Sequence, residues 1–192
     1  EAEYSDGRRP EIVEWGTSLA NDLSRRDLTI NAMAWDPLRE ILYDPYQGAF
    51  DIEDKTLRAV GDANSRLSED GLRIMRVYRF MDRGFEGPWL PERKLSSALI
   101  NCLHMLEKVS TERIWSEFQR IIIGRNASEV LKRMDLDGAL KAIFGKSIHI
   151  DERISKCSQH LPSRMAILFT NITTEEVKKI MANLKTSAVI RA

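Results

Sequence analysis

Residues 66–85 read "RLSEDGLRIMRVYRFMDRGF". At about 100° per residue, Ile74, Met75, Val77, Tyr78 and Met81 fall on one arc, and Arg73, Arg76, Arg79 and Arg83 on the opposite one. The spacing predicts a helix over about 68–83 with its apolar arc against a core. Asp70 stands at the edge of the arginine arc, one turn before Arg73, and Asp82 points to the other side. The row therefore has no acidic partner on its own helix beyond Asp70. Solvated helix faces normally interleave acids and bases at i,i+4. Closely spaced arginines repel one another, and the arrangement is tolerable where an anion lies against them; the planar guanidinium fork suits phosphate. Periodicity leaves two readings open, a solvated face and an anion site. A carboxylate only accepts hydrogen bonds and a guanidinium only donates them. A fixed Asp70–Arg73 pair would thus complement a base edge with an amino donor beside a ring-nitrogen acceptor, as in cytosine and adenine.

Working outward, the pattern is helical from Ser65 onward, with further helices expected at about 92–107, 111–123, 127–142, 151–169 and 174–185. Their breaks are "RGFEGPWLP", "GRNAS", "FGKS" and "TNITTEE", and two starts read as capping boxes, Asn126 with Glu129 and Thr173 with Glu176. Before Ser65 the texture differs. "SDGRRP" reads as a mobile loop, "IVEW" as a short strand and "SLANDLSRRD" as a short helix. "LTINAMAWDP" and "REILYDP" give a strand–turn–strand signal, followed by a turn at "YQGAFD". The expected fold is an α+β N-terminal portion followed by an all-α portion, with the boundary near 62–68.

The 192 residues carry 29 Lys+Arg and 29 Asp+Glu, so affinity for nucleic acid must come from local patches. Cys102 and Cys157 are isolated thiols without metal-ligand spacing, which reads as a reduced, cytoplasmic chain. No apolar run approaches the roughly 20 residues of a membrane span. His104, His149 and His160 sit apart, and neither a nucleophile triad nor a phosphate-cradling glycine loop can be assembled. The chain opens without Met and stops at "NLKTSAVIRA" within an apolar pattern, so an internal piece of a longer polypeptide is expected.

Three other stretches bear on function. "SRRDLTINA" (24–32) sets Arg25, Arg26 and Asp27 before an apolar run, with Asn31 beyond. It reads either as a helix C-terminus, where cations are favoured, or as a ribose and triphosphate contact. "LYDPYQGAFDI" (42–52) reads as a structural turn. "VSTERIWSEFQRIII" (109–123) reads as an amphipathic helix whose Glu112, Arg113, Glu117 and Arg120 serve packing and buried ion pairs.

In order, "RRDLTINAMA", "DPYQGAFDI", "LRAVGDANSRLSEDGLRIMRVYRF" and "STERIWSEF" resemble successive motifs of the class II tRNA nucleotidyltransferases, the bacterial-type CCA-adding enzymes and their poly(A) polymerase relatives. The resemblance runs over about residues 1–145, while 146–192 match only in being helical. It implies a head sheet ending in residues 1–64, a helical neck at 65–145 and the start of a helical body at 146–192. It implies template-independent addition of C and A to the tRNA 3′ end from CTP and ATP with Mg²⁺. Asp70 and Arg73 match the base-reading residues of the family's "EDxxR" motif. Arg76, Arg79 and Arg26 match nucleotide contacts, and Asp27 and Asn31 match ribose-side residues.

The family's Gly-rich segment, Asp-x-Asp pair and third carboxylate, which hold Mg²⁺, have no counterpart in this chain, so no catalytic or metal-binding residue is expected in it. The missing N-terminal part of the head is an expected partner, beside CTP, ATP and the tRNA 3′ end, and the chain alone is expected not to transfer nucleotides. Gly71 stands where the family usually has Ala. The rival readings are a bacterial poly(A) polymerase and a non-catalytic helical RNA-binding module.

Overall fold

The computed structural model describes residues 18–184, apart from the side chain of Asn183, together with the backbone of Ala2–Tyr4 and Pro10–Val13. The "SDGRRP" loop expectation falls mainly on residues outside that range. The first two strands, β1 (Ala2–Tyr4) and β2 (Pro10–Val13), pair antiparallel. Helix α1 (Leu19–Ser24) leads into a 3₁₀ turn at Thr29–Asn31, so "LTIN" is a turn and the expected strand starts later. The hairpin of β3 (Ala34–Asp36) and β4 (Ile41–Tyr43) follows, antiparallel.

"YQGAFD" is the start of a helix, α2 (Gly48–Glu53), not a turn alone. Asp44 makes the difference: its two carboxylate oxygens accept the backbone N–H of Gly48 at 2.7 Å and Ala49 at 2.9 Å. They satisfy donors that a helix start leaves orphaned. A methyl on Gly48 would overlap the carbonyl of Thr29, so glycine lets α2 rest on the 3₁₀ turn. Asp51, 1% exposed, accepts from Thr29 Oγ1 at 2.6 Å and Arg58 Nε at 3.2 Å. The "DPYQGAFD" stretch is thus structural, and it fixes the segment carrying Asp27 and Asn31.

Strand β5 (Thr56–Leu57) lies parallel to β6 (Leu90–Pro91). Between them the expected helix 68–83 is two helices, α3 (Ala63–Glu69) and α4 (Leu72–Met81). Asp70 is extended, with φ −149° and ψ 109°, and its Oδ1 accepts the Leu72 N–H at 2.9 Å. It caps α4 where the periodicity had placed it inside a helix. Gly71 lies against the Met105 carbonyl and Val109, leaving no room for a Cβ.

The remaining elements are α5 (Arg93–Asn101), a 3₁₀ segment at Leu103–Lys108, α6 (Thr111–Ile122), α7 (Ala127–Asp137), α8 (Ala139–Phe144), α9 (Arg153–Lys156), α10 (Leu161–Leu168) and α11 (Thr174–Asn183). The expected helix 127–142 breaks at Gly138, whose φ of 88° ends α7. The expected 151–169 breaks between Lys156 and Leu161. The Thr173–Glu176 capping box forms. The Asn126 box does not: the Asn126 side chain donates to the Gly84 carbonyl at 2.8 Å instead.

Ile74, Met75, Val77, Tyr78 and Met81 are all buried, as the α4 periodicity requires. They belong to one apolar core running from Leu28 to Leu184. In its helical part Phe144 meets Phe118 edge-on at 5.2 Å and Phe169 at 5.9 Å. Helices α4 and α6 run side by side in the same direction. Asp70 meets Arg113 at their N-terminal ends, Arg79 meets Glu117 midway, and Asp82 receives the N–H groups of Arg125 and Asn126 at their C-terminal ends.

A second device closes the far end of α6. Arg164, 1% exposed, donates to the carbonyls of Ile122, Gly124, Cys157 and Ser158. Burial pushes its guanidinium below the ordinary arginine value, yet four carbonyl dipoles replace the water it has lost. The architecture is a small strand portion followed by a helical body.

Candidate functional site

The loop after α1 and the start of α4 face each other across an open cleft of about 280 Å³. Its lining is Arg25, Arg26, Asp27, Asp70, Leu72, Arg73, Arg76 and Arg113. Five arginines and two aspartates from three separate stretches of chain converge there.

Asp27 is the hub on one wall. It is 7% exposed and accepts Arg76 Nε at 2.6 Å, Asn31 Nδ2 at 3.1 Å and the Leu28 N–H at 2.9 Å. Burial, the largest single influence, would raise its pKa, but the Arg76 hydrogen bond and charge, with the Asn31 and Leu28 hydrogen bonds, together hold the carboxyl below its ordinary 3.8. Burial likewise pulls on Arg76, and Asp27, helped by the charges of Glu117 and Asp70, more than offsets it, so the Arg76 guanidinium is raised. Arg25 and Arg26 both reach back to Asp22 on α1, at 3.0 and 2.6 Å, and their hydrogen bonds lower the Asp22 carboxyl.

Asp70 and Arg73 form the other wall: the Arg73 N–H donates to the Asp70 carbonyl at 3.0 Å, but their side chains take other partners. Asp70 Oδ2 accepts from Arg113 Nη2 at 3.0 Å. Arg73 donates to Glu69, to the Arg66 carbonyl at 2.9 Å and to the Arg25 carbonyl at 3.0 Å. The row is therefore not short of acids, contrary to the expectation from its own helix. Glu69, Asp27 and Glu117 supply them from the preceding helix and from distant segments.

Of the expected site residues, Arg26, Asp27, Asp70, Arg73 and Arg76 line the cleft. Asn31 stands behind Asp27 as its hydrogen-bond partner. Arg79 is not among the lining residues. Its Nε lies 2.6 Å from Glu117 Oε2 in a buried ion pair not aligned as a hydrogen bond, and its guanidinium stacks 4.3 Å from the Phe80 ring centroid. Burial lowers the Arg79 guanidinium despite Glu117. Three lining residues stand outside the expected set, the apolar Leu72 and the charged Arg25 and Arg113. Arg25 adjoins Arg26 in the same motif, and Arg113 lies in "STERIWSEF", where amphipathic spacing explained it as packing.

Mg²⁺ takes oxygen ligands, commonly carboxylates. Asp27 and Asp70 already accept from guanidinium and amide donors, and no third acid among the described residues lines the cleft. Among the described residues no group of three His, Cys, Asp or Glu is placed to hold a metal. These residues do not fit a Mg²⁺ site. Among them, too, no helix is long and apolar enough to cross a membrane.

Residues 1–58 match the model of the poly A polymerase head domain, and residues 91–149 that of the probable RNA and SrmB- binding site of polymerase A. The chain is 43% identical over 148 residues to the CCA-adding enzyme of Bacillus velezensis, covering 77% of this chain and 36% of that protein. It is 34% identical over 193 residues to the CCA-adding enzyme of Lactococcus lactis, covering 97% of this chain and 48% of that one. The chain thus spans at most about half the length of these curated relatives. The crystal structure of the Bacillus stearothermophilus CCA-adding enzyme in complex with CTP shares the fold, with a TM-score of 0.79 at 23% identity over 97% of this chain and 47% of that one. Motif order, fold and relatives agree: the chain belongs to the class II tRNA nucleotidyltransferases, the family of the bacterial CCA-adding enzymes.

Proposed function

We propose that this chain is the nucleotide-selecting part of a cytoplasmic tRNA nucleotidyltransferase that adds C and A to the tRNA 3′ end from CTP and ATP. The observation that carries it is the convergence of Arg25, Arg26, Arg73, Arg76 and Arg113 with Asp27 and Asp70 on one cleft. Guanidinium forks suit a triphosphate, and an acceptor beside a donor suits a base edge. The relative solved with CTP has this fold. In this reading residues 1–64 end the head, 65–145 form the neck and 146–192 begin the body. Asp27 with Asn31 serves the ribose side, and Arg26 and Arg76 serve the phosphates. Mg²⁺ belongs to carboxylates other than those of the cleft.

Asp70 and Arg73 read the base. In the free protein Asp70 is held by Arg113 and Arg73 by Glu69 and two carbonyls, so an incoming base takes their place. Titration of the protein with each of the four nucleoside triphosphates tests this by calorimetry. CTP and ATP should bind in preference to UTP and GTP. Asp70→Ala should abolish that preference, while Arg76→Ala should weaken all four alike. Nucleotide binding without preference, or none at all, would sink the reading. Incubating the full-length protein with tRNA lacking its 3′ end and supplying CTP or ATP separates CCA addition from poly(A) synthesis.

A further inference from the structure

The arginine row does not stop at the cleft. From Arg76 to Arg83 is about 10 Å along a helix axis, and there a second surface begins. Phe85 is 81% exposed, and the Arg125 guanidinium lies 4.6 Å from its ring centroid. Arg83 stacks at 4.8 Å on Phe80, the ring that also carries Arg79. Among the described residues, neither Arg83 nor Arg125 has a carboxylate at ion-pair distance. The nearby acids are engaged: Glu86 pairs with Lys55 at 2.7 Å, and the Asp82 carboxylate accepts the N–H groups of Arg125 and Asn126.

The same contacts make the surface rigid. Asp82 ties the end of α4 to the turn after α6, and Asn126 Nδ2 donates to the Gly84 carbonyl in a buried hydrogen bond. A Cβ on Gly124 would overlap the Asp82 carboxylate, so the two segments close on each other through a residue without a side chain. An exposed phenyl ring and two guanidiniums without acids are thus held in fixed relation.

We propose that Phe85, Arg125 and Arg83 form a platform for an unpaired stretch of RNA, with a base stacked on the Phe85 ring and phosphates against the two guanidiniums. Aromatic rings paired with cations are how proteins hold single strands, because every base offers a π-face and every linkage a charge. The platform rests on the proposed function for the choice of RNA over DNA. Its place past the C-terminal end of α4, the helix whose start lines the cleft, suits the strand that receives the nucleotide.

Fluorescence anisotropy on the full chain, with a labelled single-stranded RNA and tRNA lacking its 3′ end, tests this. Phe85→Ala should weaken RNA binding about tenfold, the loss of one stacked base, and Phe85→Trp should restore it. Arg125→Gln should reduce the slope of log affinity against log salt by about 0.7, one phosphate on a single strand. Both variants should bind CTP like the parent, and a blunt duplex should compete poorly with the single strand. Parent-like RNA affinity in Phe85→Ala, or a duplex that competes as well as the single strand, would overturn the platform. RNA binding that depends on Phe85 in a chain indifferent to CTP would keep the platform and remove the cleft reading; CTP binding with RNA indifferent to every variant would do the reverse.

Discussion

Asp27 concentrates the residue-scale chemistry, because one buried carboxylate holds Arg76, Asn31 and a backbone N–H together. Its folded-state pKa lies below the unfolded value of 3.8, so protons bind the unfolded chain more tightly. The stability it contributes is complete above that value and is lost as pH falls through the lower, folded one. Asp27→Asn should cost about 2 kcal/mol at neutral pH, less than a fully buried pair because Arg76 keeps a third of its side chain in solvent. It should also flatten the acid limb of stability against pH, read from urea midpoints. Sequence reasoning found both partners but not the bond, since they stand 49 residues apart and periodicity reports only one element at a time. The position of Arg79 was hidden for the same reason: its partner Glu117 comes from another helix, and the side chain lies against it. Arg113 was legible as a residue type and illegible as a neighbour of Asp70, for nothing in its own helix points there.

At the scale of elements, the joint between α3 and α4 decides the geometry of the cleft wall. The apolar arc of α4 was plain in the sequence, because five buried side chains repeat the helical period. The break at Asp70 and Gly71 was not, because Asp70 fits the same arc whether it sits inside a helix or caps one. Inside a helix Gly71 would be weaker than the family's usual Ala by up to about 1 kcal/mol. The contact with the Met105 carbonyl reverses the sign. Gly71→Ala should destabilise the chain by about 1–3 kcal/mol, as overpacking does. Because relief requires the joint to shift, it should also weaken discrimination among nucleotides. Paired unfolding and nucleotide titrations check both outcomes, and a more stable variant with unchanged selectivity would refute them. The breaks at Gly138 and before Leu161 were likewise hidden in continuous helical periodicity, since helix length depends on where neighbouring segments must turn.

For the whole molecule, the division into a strand-bearing start and a helical remainder was legible from texture alone, while the continuity of the core was not. The apolar cluster runs through every described helical segment from α3 onward, with Arg164 stitching the end of α6 to the segment before α10. The cleft sits on that mass with its charges already matched. Asp22 and Glu69 stand behind the arginines that Asp27 and Asp70 do not hold. At distances beyond roughly 8 Å, the screening length at physiological salt, five guanidiniums against four carboxylates look like little more than one charge. The cleft grips an anion at contact but does little to draw one in from afar. Stopped-flow measurements should find the association rate for CTP nearly constant as salt rises, with the loss of affinity appearing in dissociation. A chain of zero net charge can thus hold a polyanion tightly without collecting every polyanion that drifts past.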